Sequence, residues 1–261
     1  DHRDLHLSLR RQRQMCIRDS SQMGMRFLYY TCLVWLVVAL QAKDKRPNIV
    51  FLLSDDQAVR TMGCYGAPGV QTPNLDALAR QGTRFNNAYC PFPLCGPSRA
   101  GFMTAQYPSD IGVFDGDDFS SSVPTFAHGI GAAGYEAVLC GRMGWGELDQ
   151  FHGFEQRIHG DVIGFDAIHK EIMGRGFNKT AGQTRYSVEV AGYGRTGYQL
   201  FEQSVLQSSC SFIRARDPNS RPYCLVVGLI LPHNPLICER EMFEYYLDRV
   251  SAVSYTHLTL P

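Results

Sequence analysis

The chain has 261 residues, and its 25 lysines and arginines balance its 25 aspartates and glutamates, so the formal net charge is zero at neutral pH. This balance argues against binding to nucleic acid or to an acidic surface through a global positive field. Hydrophobic residues make up 44% of the chain, enough for a packed core. None of the nine cysteines forms a C-x-x-C pair, so zinc-ribbon and thioredoxin-like motifs have no support.

The first feature along the chain is an apolar run at residues 27–40 (FLYYTCLVWLVVAL), which follows the basic start Met25-Arg26. Such a segment is typical of a secretory signal peptide, and it is shorter than the ~20 apolar residues of a membrane-spanning helix. We therefore expect a signal peptide at residues 25–42 and a secreted or periplasmic protein without a stable membrane span. A membrane anchor is the alternative interpretation.

The two ends of the chain do not fit the predicted domain. Residues 1–24 are polar and arginine-rich, although they precede the predicted signal peptide. Both this tract and residues 251–261 (SAVSYTHLTLP) resemble translated sequencing-adapter sequence. We expect both tracts to be non-native, the domain to occupy residues 43–250, and the natural protein to continue beyond Val250.

Three apolar runs predict strands within the domain. They are residues 49–53 (IVFLL), 135–140 (YEAVLC) and 223–231 (YCLVVGLIL). The first run is continuously apolar, which predicts a strand buried on both faces, as in a parallel sheet. Helical patterns lie between the strands, so the sequence predicts an α/β fold with a mostly parallel sheet flanked by helices.

The segments between these strands carry weaker signals. Thr72-Pro73-Asn74 predicts the start of a helix that ends at Gly82. Residues 85–89 predict a short strand, and Pro97 fits the first turn of a helix that ends near Gln106. Residues 145–200 are rich in glycine, tyrosine and histidine without periodicity, which indicates long loops near a site.

Polar residues directly follow the three predicted strands. These are Asp55-Asp56, Gly141-Arg142 and His233. Ligands bind at the carboxyl ends of strands in such sheets, so neighbouring strands would bring two carboxylates, a guanidinium and an imidazole to one edge. Adjacent carboxylates repel each other, and their hard oxygen atoms suit Ca²⁺ or Mg²⁺. The alternative for Asp55-Asp56 is an exposed turn of ordinary loop composition.

The most specific motif is Cys95-Gly-Pro97-Ser-Arg99, which opens the predicted second helix. Backbone amides at a helix N-terminus bind anions. A cysteine-dependent phosphatase places its arginine after five intervening residues, whereas three lie between Cys95 and Arg99. The spacing therefore does not favour direct attack of a thiolate on phosphate.

Cys95-x-Pro97-Ser-Arg99, behind a strand that ends in Asp-Asp, resembles the type I sulfatases of the alkaline-phosphatase-like superfamily, over the N-terminal half of such an enzyme. The resemblance implies a sulfuric ester hydrolase in which a maturation enzyme reads the motif and oxidises Cys95 to formylglycine. It implies Ca²⁺, or Mg²⁺, held by Asp55, Asp56 and position 95. The implied catalytic residues are Cys95, Arg99, Arg142 and His233, and the implied substrate is a sulfated small molecule or carbohydrate.

The sequence departs from the family pattern at several points. The usual Gly-Lys-x-His is Gly141-Arg142-Met143-Gly144 here, which keeps the positive charge and loses the imidazole. Thr104-Ala105 replaces the usual Thr-Gly. The later Asp-Asn or Asp-His metal pair and a second lysine are expected beyond Val250, so we expect the chain as it stands to be inactive.

Three segments are most similar to choline-sulfatase-like branches, although they do not specify a substrate. They are Cys140-Gly-Arg-Met143, residues 149–155 and Leu231-Pro-His-Asn-Pro235. Two other functions stay open: a phosphonate monoester or phosphodiester hydrolase that uses the same motif, and a non-catalytic fragment that binds sulfated ligands. The G-x-G-x-x-G at residues 192–197 does not favour a dinucleotide site, since the next predicted strand ends in Pro232-His233 rather than an acidic residue.

Overall fold

A computed structural model of the protein describes residues 29–30, 46–114, 119–145, 148–161 and 189–250. The chain divides into two compact units, residues 1–46 and residues 47–261. In the first unit, Tyr29 and Tyr30 are helical, and their rings lie edge to face at 5.9 Å between centroids. All further elements that the structure describes belong to the second unit.

The second unit alternates strands and helices. The strands are β1 (Ile49–Leu53), β2 (Glu136–Gly141), β3 (Gln156–His159), β4 (Gly192–Tyr193), β5 (Tyr223–Gly228) and β6 (Ile237–Cys238). The helices are α1 (Pro73–Gln81), α2 (Cys95–Thr104), α3 (Phe126–Ala132), α4 (Gly197–Arg214) and α5 (Arg240–Leu247). Short 3₁₀ turns lie at Val59–Thr61, Gly63–Tyr65 and Pro108–Ile111.

Within the described ranges, four strands form a parallel sheet in the order β1-β5-β2-β3, and β4 pairs with β6 in a second, two-stranded parallel sheet. In the main sheet, Gly228 at the end of β5 lies opposite both Leu53 of β1 and Gly141 of β2. The carboxyl ends of three adjacent strands therefore coincide at one edge. The predicted mostly parallel α/β fold is confirmed.

Helices cover both faces of the sheet, which explains why β2 and β5 are apolar at successive positions. One face packs on α2 and α3 through a cluster that includes Ala100, Met103, Ala127, Leu139 and Val226. The other packs on α4 through a cluster that includes Val138, Cys140, Val205, Leu225 and Val227. Every residue of β2 and β5 is buried, so these two strands are the rigid centre from which the site loops leave.

The expected burial of β1 on both faces is wrong for the part of the chain that the structure describes. Val50, Phe51 and Leu52 are 42%, 38% and 61% exposed. β1 is the edge strand of the described sheet, since it pairs with β5 alone. Described residues cover this strand only in part, for example at Phe51, whose ring contacts the rings of Phe102 and Phe126.

Other boundaries also differ from the sequence predictions. The helix from Thr72 to Gly82 is confirmed as α1, whereas residues 85–89 form no strand. α2 ends at Thr104 instead of near Gln106, because Ala105 adopts a left-handed conformation with φ of 55°. β5 ends at Gly228, three residues before the predicted end. A β-carbon on Gly228 would lie 1.7 Å from the carbonyl oxygen of Arg142.

Residues 145–200 are not all loop, although residues 146–147 and 162–188 lie outside the description. The segment contains β3, β4 and the start of α4. β3 has the sequence QRIH, whose single aliphatic residue gives no alternating pattern to detect.

None of the helices among the described residues has the length and apolar character needed to cross a bilayer. The predicted signal peptide at residues 25–42 lies outside the described residues, apart from Tyr29 and Tyr30.

Candidate active site

A cavity of about 1000 Å³ opens at the carboxyl ends of β1, β2 and β5. It is lined by all six residues that the sequence analysis selected, namely Asp55, Asp56, Cys95, Arg99, Arg142 and His233. Asp55, Arg142 and His233 follow the three strands, whereas Cys95 and Arg99 belong to α2. The parallel sheet and one helix N-terminus thus place these groups around one space.

Asp55 lies at the centre of the charged groups. Its Oδ2 is 2.9 Å from Nε of Arg142 and 3.6 Å from Nη2 of Arg99. All three side chains are at most 8% exposed, so the ion pairs are shielded from solvent. Oδ2 nevertheless has no contact with hydrogen-bond geometry, which leaves a buried carboxylate oxygen with unused acceptor capacity.

Arg99 connects α2 to the ends of β2 and β5 through hydrogen bonds. Its Nη1 donates to the carbonyl oxygen of Arg142 at 2.7 Å, and its Nη2 donates to the carbonyl oxygen of Leu229 at 3.3 Å. Burial lowers the pKa of the Arg99 guanidinium, although the negative charge of Asp55 opposes this. Arginine side chains are not deprotonated in proteins, so the residue remains a cation.

Arg142 joins the carboxylate to the cysteine. Its Nη2 lies 3.6 Å from Sγ of Cys95. Burial disfavours its charge, but Asp55 and other nearby anionic groups outweigh that effect, and the pKa of Arg142 is raised. Arg142, in place of the lysine that the resemblance implies, therefore retains a fixed positive charge beside position 95.

Cys95 is the first residue of α2, and its side chain is partly exposed in the cavity. Pro97 occupies the first turn, where its missing N–H costs no intrahelical hydrogen bond. The N–H groups at the start of a helix lack intrahelical partners and favour nearby negative charge. Position 95 therefore combines a helix N-terminus with the guanidinium of Arg142.

Asp56 differs from its neighbour because it is exposed and adopts a left-handed conformation with φ of 59°. Aspartate tolerates this conformation better than most residues. The turn places both adjacent carboxylates on the cavity lining. Their oxygen atoms, including the unused Oδ2 of Asp55, suit a hard divalent cation.

These two carboxylates can bind such a cation, but further ligands are needed to complete its coordination shell. The described ranges contain no group of three or more histidine, cysteine, aspartate or glutamate side chains placed to hold a metal ion. Asp55 and Asp56 can supply two of the six to eight or so oxygen ligands that Ca²⁺ takes.

His233 reaches the cavity from the loop after β5 and is 7% exposed. Its Nδ1 lies 2.7 Å from the carbonyl oxygen of Asn234, which can only accept, so Nδ1 carries a proton. Nε2 of the neutral ring is then the acceptor nitrogen. The ring of Tyr198 packs edge-on against the imidazole, with 5.9 Å between centroids.

Two carboxylates that the sequence analysis missed hold the loops of this site, the half-buried Glu202 and the buried Asp161. Oε2 of Glu202 accepts from N–H of Ile230 at 3.0 Å, ahead of His233. Oδ2 of Asp161 accepts from N–H of Met143 at 2.6 Å and of Gly144 at 2.7 Å, just after Arg142. Asp161 follows β3 as Asp55 follows β1, but the signal was hidden because β3 itself was not predicted.

His152, by contrast, has no place in the cavity lining. It is 2% exposed and lies between the rings of Phe119 and Trp145, at 4.2 and 4.5 Å between centroids. This residue packs in the core.

The chain is similar to known sulfatases. The sulfatase family profile matches residues 47–256. Choline-sulfatase of Rhizobium meliloti (strain 1021) is 33% identical over 223 residues, which cover 78% of this chain and 41% of that protein. The chain thus spans less than half the length of this relative.

Solved structures show the same architecture. A protein solved in complex with its substrate D-glucosamine-2-N,6-O-disulfate shares 26% identity with a TM-score of 0.51, over 72% of this chain and 35% of that chain. The phosphonate monoester hydrolase of Agrobacterium radiobacter has a TM-score of 0.58 at 19% identity, over 77% of this chain and 44% of that chain, which shows the fold alone. The fold is alkaline-phosphatase-like, and with the profile match over most of its length the chain belongs to the sulfatase family.

Proposed function

We propose that this chain is the N-terminal part of a sulfatase that hydrolyses sulfate esters with a formylglycine made from Cys95. The observation that carries the proposal is the placement of Cys95: it opens α2, lies 3.6 Å from Nη2 of Arg142, and shares a cavity with Asp55 and Asp56. A buried structural thiol would need none of these neighbours.

The residues of the chain prepare position 95 for an anionic substrate. A hydrated formylglycine supplies one hydroxyl as the nucleophile for sulfur and a second that lets sulfate leave. Arg142 provides positive charge beside that position, and the N–H groups at the start of α2 favour the developing negative charge. Arg99 donates to the carbonyl oxygen of Arg142 and adds a second cation to the site.

Charge balance supports a divalent cation in the same cavity. Asp55 and Asp56 offset Arg99 and Arg142, so these four charged side chains have no net charge to attract a sulfate ester. Asp55 and Asp56 would hold Ca²⁺, or Mg²⁺, together with position 95, and the cation would supply the missing positive charge. The remaining ligands would come from outside the described residues.

His233 is assigned to the sulfate ester. Its Nδ1 is fixed by the carbonyl oxygen of Asn234, and its ring is fixed by Tyr198. A protonated Nε2 can donate to an ester oxygen, and a neutral one can accept a proton.

The test is the mass of the tryptic peptide 85–99 after co-expression with a formylglycine-generating maturation enzyme. We expect the mass change of cysteine to formylglycine, abolished in Cys95→Ala. Cys90→Ala is the matched control, because Cys90 lies in the same peptide outside the motif. An unmodified thiol at position 95 under all conditions would contradict the proposal.

A hydrolase of phosphonate monoesters or phosphodiesters is the second candidate, since the phosphonate monoester hydrolase shares this fold. The rates of the complete protein on aryl sulfate and aryl phosphonate esters distinguish the two. A faster phosphonate reaction would replace the sulfatase assignment.

We also propose that residues 25–42 direct export. The substrate is proposed to be a sulfated small molecule or carbohydrate, as in choline-sulfatase and the protein bound to a disulfated glucosamine.

The chain alone is proposed to be inactive, because the described residues supply only part of a metal site. Calcium titration of the 261-residue chain tests this: weak binding is expected, and tight stoichiometric binding would contradict it. A chain that binds sulfated ligands without turnover is the remaining alternative.

A further inference from the structure

The turn that follows β2 is organised around one carboxylate. Oδ2 of Asp161 accepts two successive backbone N–H groups, from Met143 at 2.6 Å and from Gly144 at 2.7 Å. The Asp161 side chain is completely buried. Hydrogen bonds to an ionised acceptor are about twice as strong as neutral ones, so this carboxylate strongly favours one path of the turn.

Arg157 of β3 balances the buried charge of Asp161. Its Nη2 lies 3.3 Å from Oδ2 of Asp161 and also donates to the carbonyl oxygen of Gly141 at 2.9 Å. Its guanidinium lies 5.6 Å above the ring of Trp145. The pair Arg157–Asp161 therefore connects β3 to the residues on both sides of Arg142.

Arg142 is held between these contacts and β5. The N–H of Arg142 donates to the carbonyl oxygen of Gly228 at 2.8 Å. The residue before it, Gly141, is bound by Arg157, and the N–H of the residue after it, Met143, is bound by Asp161. With its backbone fixed on both sides, its side chain extends to Asp55 and Cys95. A shift of the turn at Met143 would move the guanidinium away from both.

Gly144 makes this path available. Its φ is +84°, a conformation that glycine adopts without a steric penalty. In this turn its N–H donates to Oδ2 of Asp161. The histidine expected at this position is therefore replaced by a residue that serves the turn.

We propose that Asp161 is a positioning residue for Arg142: by binding the N–H groups of Met143 and Gly144, it directs the guanidinium of Arg142 to position 95. The importance of this placement for turnover rests on the proposed sulfatase function, whereas the placement itself does not. The contacts of Asp161 with the N–H groups of Met143 and Gly144 hold the turn that carries Arg142, so its proposed action is through Arg142.

The experiment measures ¹⁵N–¹H signals of the full 261-residue chain and of Asp161→Asn. We expect Nε–H of Arg142 to change its chemical shift, and the amides of Met143 and Gly144 to exchange with solvent ~10-fold faster or more, as loss of charge-assisted hydrogen bonds implies. Asp149→Asn is the matched control. Asp149 also accepts two successive N–H groups, of Phe151 and His152, but its loop does not carry Arg142.

Each result decides the proposal. A changed Nε–H signal in Asp161→Asn, with Arg142 unaltered in Asp149→Asn, supports it. Faster amide exchange with an unchanged Nε–H signal would overturn it, because Asp161 would then stabilise the turn without placing Arg142. If Asp161→Asn does not fold, the double variant Asp161→Asn/Arg157→Gln, which leaves no unpaired guanidinium, takes its place, and failure of both to fold would also overturn the proposal.

Kinetics of the complete protein provide a separate readout. Asp161→Asn is expected to lower kcat by ~10-fold or more with a smaller change in KM, since a group beside the nucleophile acts mainly in the transition state. If the wild-type protein hydrolyses no sulfate ester, the proposed function fails, while the NMR result on Arg142 still stands. If it is active and Asp161→Asn changes KM alone, the positioning role is contradicted.

Discussion

Nε of Arg142 lies 2.9 Å from Oδ2 of Asp55, and the two side chains are 8% and 5% exposed. One follows β2 and the other follows β1, and β5 lies between these strands. The ion pair therefore spans the central strand of the described sheet at its carboxyl end. It is also the point at which a cation bound by Asp55 would meet the positive charge of Arg142.

Removal of this guanidinium should destabilise the protein. Arg142→Met leaves Asp55 buried with Arg99 as its remaining cation, 3.6 Å away. Breaking a buried pair typically costs 3–5 kcal/mol, and we expect about 3 kcal/mol here because Arg99 remains. Urea denaturation without added divalent cations measures the change.

The control is Arg195→Met, which breaks the ion pair with Glu239. These side chains are 75% and 57% exposed, so the expected loss is below about 1 kcal/mol. Equal losses in the two variants would show that burial does not strengthen the Arg142 pair.

Substitution of Gly144 by histidine, the residue usual in the family pattern, should lower the stability of the protein. A β-carbon there meets no atom within 4 Å, so the β-carbon itself creates no clash. The φ of +84° is nevertheless unfavourable for a residue with a β-carbon, by about 1–2 kcal/mol. We expect Gly144→His to lower the free energy of unfolding by that amount in urea denaturation.

Gly66→His is the matched control, because Gly66 has the same φ and also has free space around its β-position. If Gly144→His loses more free energy of unfolding than Gly66→His, the difference reports on the contact of Gly144 with Asp161. If only Gly66→His were destabilising, the positive φ at Gly144 would not hold in solution.

The end of α2 offers a stabilising substitution. Ala105 has φ of 55° at the C-cap, where glycine is the preferred residue. We expect Ala105→Gly to raise the free energy of unfolding by about 0.5–1 kcal/mol, since it relieves the left-handed strain. Thermal denaturation measures the effect.

Ala133 at the C-cap of α3 provides the comparison, since its φ is −77°. Ala133→Gly should be destabilising by about 0.5–1 kcal/mol, because glycine there only adds freedom to the unfolded chain. The same sign of change at both positions would argue against strain at Ala105.

The carboxyl of Glu202 should make stability depend on pH. Burial raises its pKa, and the N–H groups of Ile230 and Leu231 offset only part of this rise. Between the ordinary glutamate pKa and this raised value the native state binds more protons than the unfolded state, so its stability falls as pH rises through that window. Glu202→Gln removes this contribution.

Urea denaturation of both proteins across acidic to neutral pH tests this prediction. The stability of wild type relative to Glu202→Gln should decline with rising pH inside the window and stay constant above it. A relative stability that rises with pH would mean that the amide hydrogen bonds outweigh burial.

The sequence was sufficient to predict the fold class and to select six residues that line one cavity, but not the carboxylates that hold its loops. The runs that became β1, β2 and β5 are short and apolar, and each is followed within a few residues by a polar group that lines the cavity. Because parallel neighbouring strands end at one edge, strand order mattered little for bringing Asp55, Arg142 and His233 together. The resemblance carried by the motif from Cys95 to Arg99 added the chemistry expected of them.

The tertiary structure alone decided how these residues are held. The placement of Arg142 depends on Asp161, which follows a strand too short and too polar to be predicted, and on the close approach of Gly228. The exposure of Val50 and Leu52 likewise follows from the neighbours of β1 and not from its composition. Local patterns reflect what a segment can bury, whereas contacts between distant segments determine what it does bury and which buried charges are paired.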